Sequence, residues 1–168
     1  MPNTVYLRTD RLVWRAGTPD DVDALHTIAS VFDVVRQTET WPWPADCAFT
    51  ASRCQPLADN SGLAGVVTHS DAVVGTMQLS DGGKMGYMFA PAHWGKGFAT
   101  EMGGAAVAHA FDRFDWPKLS ACVFADNPAS GRVLEKLGFE VVGPCQGPSA
   151  ARGGVFPIIN YALPRPRA

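Results

Sequence analysis

The pattern of apolar and polar residues predicts the first two elements of the fold. From Leu12 onward the two kinds of residue alternate, which is typical of a half-buried strand, and we predict this strand over residues 5–16. Thr18 is suited to cap a helix, Pro19 to occupy its first position, and apolar residues recur at helical spacing from Val22. A helix is therefore expected to begin at Thr18.

The middle of the chain is predicted to be rich in strands. Residues 38–45 contain two tryptophans and two prolines, which favour a loop, and a short helix over 48–57 is expected to follow. Two runs rich in β-branched residues, 63–69 and 72–79, flank a Ser-Asp pair and predict a β-hairpin. The apolar run 85–89 predicts a central strand that ends before a proline.

A long helix is predicted over residues 97–114, because apolar residues recur there every four positions. The pair Gly103 and Gly104 costs such a helix about 1 kcal/mol per glycine relative to alanine. We expect a close contact between this helix and the sheet to explain the pair.

Another helix is predicted after a strand over residues 119–124. Asn127 is suited to cap it and Pro128 to open it, and Gly138 followed by an apolar residue is typical of a Schellman ending. These signals bracket the helix between Asn127 and Gly138.

The last quarter of the chain is predicted to contain two strands, 140–142 and 155–163, separated by a Gly/Pro-rich loop over 143–154. That loop could be a mobile lid or a dimer contact. The tail 164–168 is expected to be frayed. Because strands and helices are interleaved, the sequence predicts an α/β protein with one mixed sheet flanked by helices. We expect residues 1–168 to form a single domain.

The composition narrows the class of protein. The chain has 168 residues, of which 18% are charged, and a formal net charge of −2, which argues against nucleic acid as a partner. It contains neither a run of about 18 apolar residues nor the apolar core of a signal peptide, so no membrane is expected. The 4 cysteines and 4 histidines lack metal-ligand spacing. We therefore expect a cytoplasmic protein without a bound metal.

The junction of strand and helix at residues 94–100, WGKGFAT, is the strongest candidate for chemistry. Glycines let backbone N–H groups turn toward one point, and the helix N-terminus adds its own free amides, so this loop is suited to cradle a phosphate. A tight turn that needs glycine only for its dihedral angles is the alternative. The loop is not a Walker A motif, because Ala90 and Gly97 break that pattern, and Thr100 breaks the dinucleotide pattern G-x-G-x-x-G.

Three blocks of sequence resemble one family. Residues 86–101, GYMFAPAHWGKGFATE, are similar to the acetyl-coenzyme A signature of the GNAT acetyltransferases, with Trp94 in place of the Gln or Arg that opens its loop. Residues 127–139, NPASGRVLEKLGF, and 9–12, TDRL, resemble a helix and the opening strand of its ribosomal-protein N-terminal acetyltransferase-like (RimJ/RimL-type) branch. The blocks stand in the family's order and cover most of the chain.

The resemblance implies the acyl-CoA N-acyltransferase (GNAT) fold, with a mostly antiparallel sheet, and acetyl-CoA as cosubstrate. In this family two neighbouring strands splay apart around the pantetheine arm, and the pyrophosphate lies on the loop before the next helix. The cofactor-binding residues implied here are Met88, Phe89, Trp94, Gly95, Lys96, Gly97, Phe98, Ala99, Thr100 and Asn127. Lys96 is equally well explained as a solvated surface lysine, and Asn127 also as a helix cap.

The reaction implied is direct transfer of acetyl from the thioester to a primary amine in a ternary complex. The amine must lose a proton, the oxyanion needs a donor, for which the backbone amide of Met88 or Phe89 is suited, and the departing thiolate needs a proton. Many members place a tyrosine acid where this chain has Leu134. Ser130 is the nearest substitute and is the candidate catalytic residue, although a serine in a first helical turn is ordinary.

The family's usual glutamate before the Gly-Tyr pair is also missing, since Gly83, Lys84 and Met85 precede Gly86. Candidate bases are Glu39, Asp81 and Glu101, or a chain of water molecules.

The acceptor and the oligomeric state stay open at this point. The amine could belong to a protein N-terminus or a small molecule, and the protein could be a monomer or a homodimer. Trp41 and Trp43 could line the acceptor pocket or simply pack under their loop. The alternative to an enzyme is a noncatalytic acyl-CoA-binding or sensor protein, which the missing tyrosine and glutamate make plausible. A nucleotide-binding module is a third alternative.

Overall fold

The structure is a computed structural model that describes residues 4–57, 61–80 and 82–167. Within these residues the strands are β1 Val5–Arg8, β2 Leu12–Arg15, β3 Leu63–His69, β4 Ala72–Ser80, β5 Lys84–Phe89, β6 Lys118–Phe124, β7 Glu140–Ser149 and β8 Gly154–Pro164. The α-helices are α1 Val22–Ala29, α2 Phe32–Val35, α3 Cys47–Arg53, α4 Phe98–Arg113 and α5 Pro128–Lys136.

The strands form one eight-stranded sheet in the order β1-β2-β3-β4-β5-β6-β8-β7. Neighbouring strands are antiparallel except β5 and β6, which are parallel. The predicted α/β class, with one mixed and mostly antiparallel sheet flanked by helices, is therefore confirmed. Among the described residues, no helix is long and apolar enough to cross a membrane.

The single strand predicted over residues 5–16 is in fact a hairpin. β1 and β2 pair antiparallel, and the turn between them is closed by the amide of Thr9, which donates to the carbonyl of Leu12 at 2.9 Å. The prediction was wrong because it included the polar run TDR at residues 9–11, which forms the turn, within one strand.

The predicted helix start at Thr18 is confirmed, in the form of a short 3-10 turn, Pro19–Asp21, that leads into α1. Both the amide and the hydroxyl of Thr18 donate to the Asp21 carboxylate, at 2.8 and 3.2 Å. Asp21 also accepts two hydrogen bonds from Arg15, at 2.8 and 2.9 Å. A buried carboxylate thus joins the start of α1 to β2.

The hairpin of β3 and β4 is confirmed, with Ser70 and Asp71 as its turn residues at φ of 50° and 65°. The loop predicted at 38–45 is confirmed as well, whereas the short helix after it covers only Cys47–Arg53 rather than 48–57. The central strand, the two later helices and the Asn127 cap, which accepts from the Ser130 amide, also lie where they were predicted.

The loop predicted over residues 143–154 is largely a strand. β7 runs to Ser149 and pairs along its length with β8, leaving residues 150–153 as the turn. Glycine and proline are tolerated here because β7 is the edge strand and needs a hydrogen-bonding partner on one side only.

The tail is held for longer than predicted. β8 includes Pro164, and the Arg165 amide donates to the carbonyl of Pro117 at 2.9 Å. The Arg165 guanidinium donates to the carbonyls of Phe111, Phe114 and Trp116. These bonds satisfy carbonyls at the end of α4, so Pro164 and Arg165 are not frayed.

The close contact expected at Gly103 exists, but it joins two helices rather than a helix and the sheet. A Cβ on Gly103 would lie 2.8 Å from a methyl group of Leu137, at the end of α5. Gly104 has only ordinary space around it, 3.8 Å from the same side chain, so contact does not explain that glycine.

Apolar side chains pack on both faces of the sheet. The α4 face buries a cluster that includes Trp14, Met85 and Met102, together with Leu134 of α5. The α1 face buries a second cluster that includes Leu25 and Met88. Because side chains alternate along a strand, Tyr87 of β5 lies on the α4 face, whereas Lys84 of β5 and Cys122 of β6 lie on the α1 face.

Candidate active site

A cleft opens in the middle of the sheet, where β5 and β6 separate. The two strands are in register at a single pair, Lys84 with Ser120, and no ladder joins them beyond it. The resulting cleft has a volume of about 1420 Å³ and is lined from both faces of the sheet, by Glu39 and Thr38 on the α1 face and by Ser130 and Leu134 on the α4 face.

The loop at residues 94–100 lies at one end of this cleft and is open. Gly95 and Gly97 have φ of 74° and 79°, a left-handed conformation that glycine adopts without strain. A Cβ on Gly95 would meet nothing within 4 Å, and one on Gly97 only the Arg11 guanidinium at 3.5 Å. Apart from the Arg11 guanidinium near Gly97, the space beside these two glycines is therefore open.

The N-terminus of α4 points its amides into this space. The helix has 16 residues, and Gly97 caps it without a side chain. The amides of residues 95–100 donate no hydrogen bond to any described residue. The hydrogen bonds of α4 begin with the Glu101 amide, which donates to the carbonyl of Gly97 at 2.9 Å. Free amides and the positive end of the helix dipole can hold an anion.

The cleft brings together most of the residues that the sequence nominated. Its lining includes Met88, Phe89, Trp94, Gly95, Gly97, Phe98, Ala99, Thr100, Asn127 and Ser130. Lys96 is exposed and is not among the lining residues. The indole N–H of Trp94 donates to the carbonyl of Phe89 at 2.8 Å, so this tryptophan also fixes the end of β5.

Backbone directions separate the two amides considered as oxyanion donors. The amide of Ala90 donates to Val74 of β4 at 2.9 Å. Because amides in an antiparallel strand alternate in direction, the Met88 amide also points to β4, whereas the Phe89 amide points into the gap between β5 and β6. Phe89 is therefore the donor available to the cleft.

A hydroxyl pair lies on the α4 face of the cleft. The hydroxyl of Tyr87 lies 3.0 Å from the Ser130 hydroxyl. Burial raises the pKa of Tyr87, and its hydrogen bond to Ser130 only partly offsets that rise, so the phenol stays protonated at neutral pH. Leu134, where the family often has tyrosine, is buried in the cleft wall and offers no proton.

Sequence reasoning missed Tyr87 as a possible acid. The signal that could have found it is the period of β5, which places Tyr87 and Phe89 on the same face and beside the helix that carries Ser130.

A charged group lies on the α1 face of the same cleft. Glu39 accepts a hydrogen bond from the Cys122 thiol at 2.8 Å and pairs with the Lys84 ammonium at 3.2 Å. Burial and the neighbouring Glu39 carboxylate raise the pKa of Cys122 to about 12. A thiol with this pKa remains protonated at neutral pH, so Cys122 acts as a hydrogen-bond donor and not as a nucleophile.

The three candidate bases are placed differently. Glu39 lines the cleft. Glu101 lies in the first turn of α4, where it pairs with Arg11 at 3.3 Å, and does not line the cleft. Asp81 lies outside the described residues.

The two tryptophans of the loop at 38–45 also differ in position. Trp41 lines the cleft and packs edge-on against Phe49 at 5.2 Å. Trp43 is 46% exposed, packs against Phe32 and is not part of the lining.

The turn between β7 and β8 holds the segment that carries Glu39. The amide of Ala150 donates to the carbonyl of Glu39 at 3.0 Å. Arg152 donates to the carbonyl of Arg36 at 3.0 Å and to the Asp126 carboxylate at 2.7 Å. The turn is thus bonded to the cleft wall, in place of the free lid that the glycine-rich sequence allowed.

Comparison with known proteins identifies the family. Residues 11–140 match the model of the acetyltransferase (GNAT) domain, and the chain belongs to this family. It is an acetyltransferase, which confirms the enzyme class and the acetyl-CoA cosubstrate predicted from the resemblance. Among the described residues there is no group of three or more His, Cys, Asp or Glu side chains that could hold a metal ion.

Relatives of similar length support this assignment. The chain is 28% identical to the uncharacterized N-acetyltransferase YoaA of Bacillus subtilis (strain 168), over 96% of this chain and 97% of the relative. It is 27% identical to the uncharacterized N-acetyltransferase p20 of Bacillus licheniformis, over 94% of each chain.

Solved structures share the fold at lower identity. RimL, a ribosomal L7/L12 alpha-N-protein acetyltransferase in complex with coenzyme A, superposes with a TM-score of 0.80 at 18% identity, covering 95% of this chain and 97% of that one. A spermidine N-acetyltransferase from Vibrio cholerae, in complex with CoA and spermine, superposes with a TM-score of 0.75 at 18% identity, covering 94% of this chain and 97% of that one.

Proposed function

We propose that the protein transfers the acetyl group of acetyl-CoA directly to a primary amine, with both substrates bound at once. The observation that carries this proposal is the gap between β5 and β6, which passes through the sheet and joins the open glycine loop to a charged group on the opposite face. That all eight strands belong to one sheet supports treating residues 1–168 as one domain.

The donor substrate is assigned to the α4 face. The amides of residues 95–100 hold the pyrophosphate at the start of α4, and the pantetheine arm runs along β5 past Met88 and Phe89 toward Asn127. Lys96 is left out of this set, because it does not line the cleft. The free amides and the space beside Gly95 and Gly97 support this assignment.

The chain's own groups supply the three needs of the reaction. Glu39 takes a proton from the acceptor ammonium, so that the amine can attack the thioester carbonyl carbon. The Phe89 amide stabilises the negative charge that develops on the carbonyl oxygen. As the carbon–sulfur bond breaks, the pair Tyr87 and Ser130 delivers a proton to the sulfur and regains one from the nitrogen, which carries an extra proton after its attack. Glu39 releases its proton to water, and the products are an acetamide and the free thiol of coenzyme A.

The acceptor is a protein N-terminus or a small amine. The presence of RimL among the structural neighbours supports the RimJ/RimL-type branch, and a spermidine acetyltransferase is also a neighbour, with a TM-score of 0.75 against 0.80. At identities of 18% these neighbours share the fold but do not choose between the two acceptor classes.

Steady-state kinetics test the proposal. Thiol release is followed while acetyl-CoA and an amine from a panel are varied together, and a ternary complex gives initial-rate lines that intersect. Parallel lines would overturn direct transfer, because they indicate an acetyl-enzyme. Tight binding of acetyl-CoA without thiol release for any amine would favour the noncatalytic sensor.

A further inference from the structure

A smaller groove adjoins the cleft on the α1 face. It has a volume of about 350 Å³, and its lining includes Glu39, Lys84, Lys118, Ser120, Cys122 and Asn160. Glu39, Lys84 and Cys122 also line the main cleft, whereas Lys118, Ser120 and Asn160 line only the groove. The charged group at Glu39 therefore lies where the groove meets the main cleft. Lys118 lies at the part of the groove that is farther from the gap between β5 and β6.

The strands explain why these side chains share a surface. Lys118, Ser120 and Cys122 are alternate residues of β6 and point to the same face. Asn160 of β8 is the register partner of Cys122, and Lys84 of β5 is the partner of Ser120. The strand register thus places these side chains next to one another on one face of the sheet.

Among the described residues that line the groove, there are two lysines, Lys84 and Lys118, and one carboxylate, Glu39. Glu39 is already paired with Lys84 at 3.2 Å. Lys118 is exposed and has no ion pair with any described residue. Ser120 of β6 is the register partner of Ala162 in β8, which in turn is the partner of Glu140 in β7. Glu140 is therefore two strands away from Ser120, about 10 Å, and does not line the groove.

We infer that the groove selects an acceptor that carries an anionic group, carboxylate or phosphate, on the chain that bears its amine. This inference rests on the proposed function and names its substrate class. The amine lies at Glu39, next to the gap, and the anion lies at Lys118. A polyamine would place a second ammonium beside Lys118 and is disfavoured by repulsion.

The strand sets the span of the acceptor. Cys122 and Lys118 are four residues apart, which is about 13 Å along β6 at roughly 3.3 Å per residue. A lysine side chain extended along the groove covers part of that distance, so an anion separated from the amine by about five methylene groups, or by one peptide unit and a side chain, fits between Glu39 and Lys118.

A matched set of acceptors tests this inference. The amines are 6-aminohexanoate, 6-aminohexyl phosphate, the neutral 6-aminohexanamide and 1,6-diaminohexane, assayed by thiol release from acetyl-CoA. We expect kcat/KM for the better of the two anionic amines to exceed that for the diamine by about tenfold, and the comparison of carboxylate with phosphate identifies the anion. Lys118→Glu is expected to reverse this order, and Lys118→Gln to remove it.

Arg8→Glu is the matched control, because it makes the same change in net charge on the far edge of the sheet, on β1. It is expected to leave the order of the four amines unchanged. A wild-type enzyme that uses the diamine as well as the anionic amines would overturn the inference while leaving acetyl transfer intact. The same change of order in both charge-reversal variants would also overturn it.

If none of the four amines is acetylated, measurements of how tightly each amine binds still test the inference. Calorimetry of each amine with the CoA-saturated protein is expected to show about tenfold tighter binding of an anionic amine, lost in Lys118→Glu. Equal binding of the diamine would overturn the inference. Absence of thiol release with acetyl-CoA bound bears on the proposed function alone.

Discussion

The two sides of the gap between β5 and β6 are built from different chemistry. On the α4 side the wall is largely apolar, with free backbone amides at one end and the hydroxyl pair of Tyr87 and Ser130 at the other. On the α1 side the wall carries the charged group of Glu39, Lys84 and Cys122. Under the proposed function, backbone groups on the α4 side hold acetyl-CoA and side chains on the α1 side determine which amine is accepted.

This division predicts that changes on the α4 side act on acetyl-CoA binding or on release of the thiol, whereas changes on the α1 side act on the acceptor amine. The predictions below are ordered from the largest expected effect to the smallest.

Gly97→Asp is expected to raise the Kd for acetyl-CoA by about 100-fold or more. The substitution places a carboxylate among the amides assigned to the diphosphate, at a residue with φ of 79°. Calorimetry with acetyl-CoA measures the effect. Gly97→Asn is the matched control, since it has the same shape, tolerates positive φ and lacks the charge. Unchanged affinity in the aspartate variant would refute the role of the loop.

Glu39→Gln is expected to lower kcat by about 100-fold, which is the low end of the rate loss that follows removal of a general base. The Kd for acetyl-CoA is expected to stay unchanged. The glutamine oxygen can still accept from the Cys122 thiol, so the local structure is kept. Steady-state rates with a saturating amine measure the effect. Glu101→Gln, outside the cleft, is expected to retain wild-type kcat, and equal losses in both variants would exclude Glu39 as the base.

Tyr87→Phe and Ser130→Ala are each expected to lower kcat about tenfold, with little change in the KM for acetyl-CoA. In the double variant the fold decrease in kcat is expected to be no more than about twice that of the more damaging single variant, because the two hydroxyls act as one pair. Since burial raises the pKa of Tyr87, the alkaline fall of kcat caused by loss of its proton is expected at a higher pH than an exposed tyrosine would give. Additive losses would show that the hydroxyls act separately.

Cys122→Ala is expected to change kcat by less than about threefold. With a pKa of about 12 the thiol is not a nucleophile, and its loss removes a single hydrogen bond to Glu39. Mass spectrometry of the wild type mixed with acetyl-CoA alone checks the same point. A stable mass increase of one acetyl group, absent from the Cys122→Ala variant, would contradict direct transfer.

The parts of the molecule that the sequence predicted are those governed by local chemistry. The caps at Thr18 and Asn127 and the ending at Gly138 use side chains and amides within a few residues of one another. The loop at 94–100 is likewise defined by two glycines and the start of a helix.

The parts that the sequence did not predict depend on contacts between distant residues. The Gly/Pro-rich segment 143–154 is extended because β8 pairs with it, and this pairing outweighs local propensity. Glu39 and Cys122 are 83 residues apart, and Tyr87 and Ser130 are 43 apart. Only the topology of the sheet brings such pairs together. The sequence could therefore indicate Glu39 and Ser130 as candidate catalytic residues, but not Cys122 and Tyr87 as their partners.

The contact between Gly103 and Leu137 has a mechanical consequence. Because a methyl group of Leu137 fills the space where residue 103 has no side chain, α4 and α5 interlock and cannot slide past each other. The first turn of α4 borders the loop to which we assign the diphosphate, and the first turn of α5 carries Ser130. A small shift of α4 when the nucleotide part of the cofactor binds would therefore also move α5. Binding at the start of α4 would in this way change the position of the Ser130 hydroxyl.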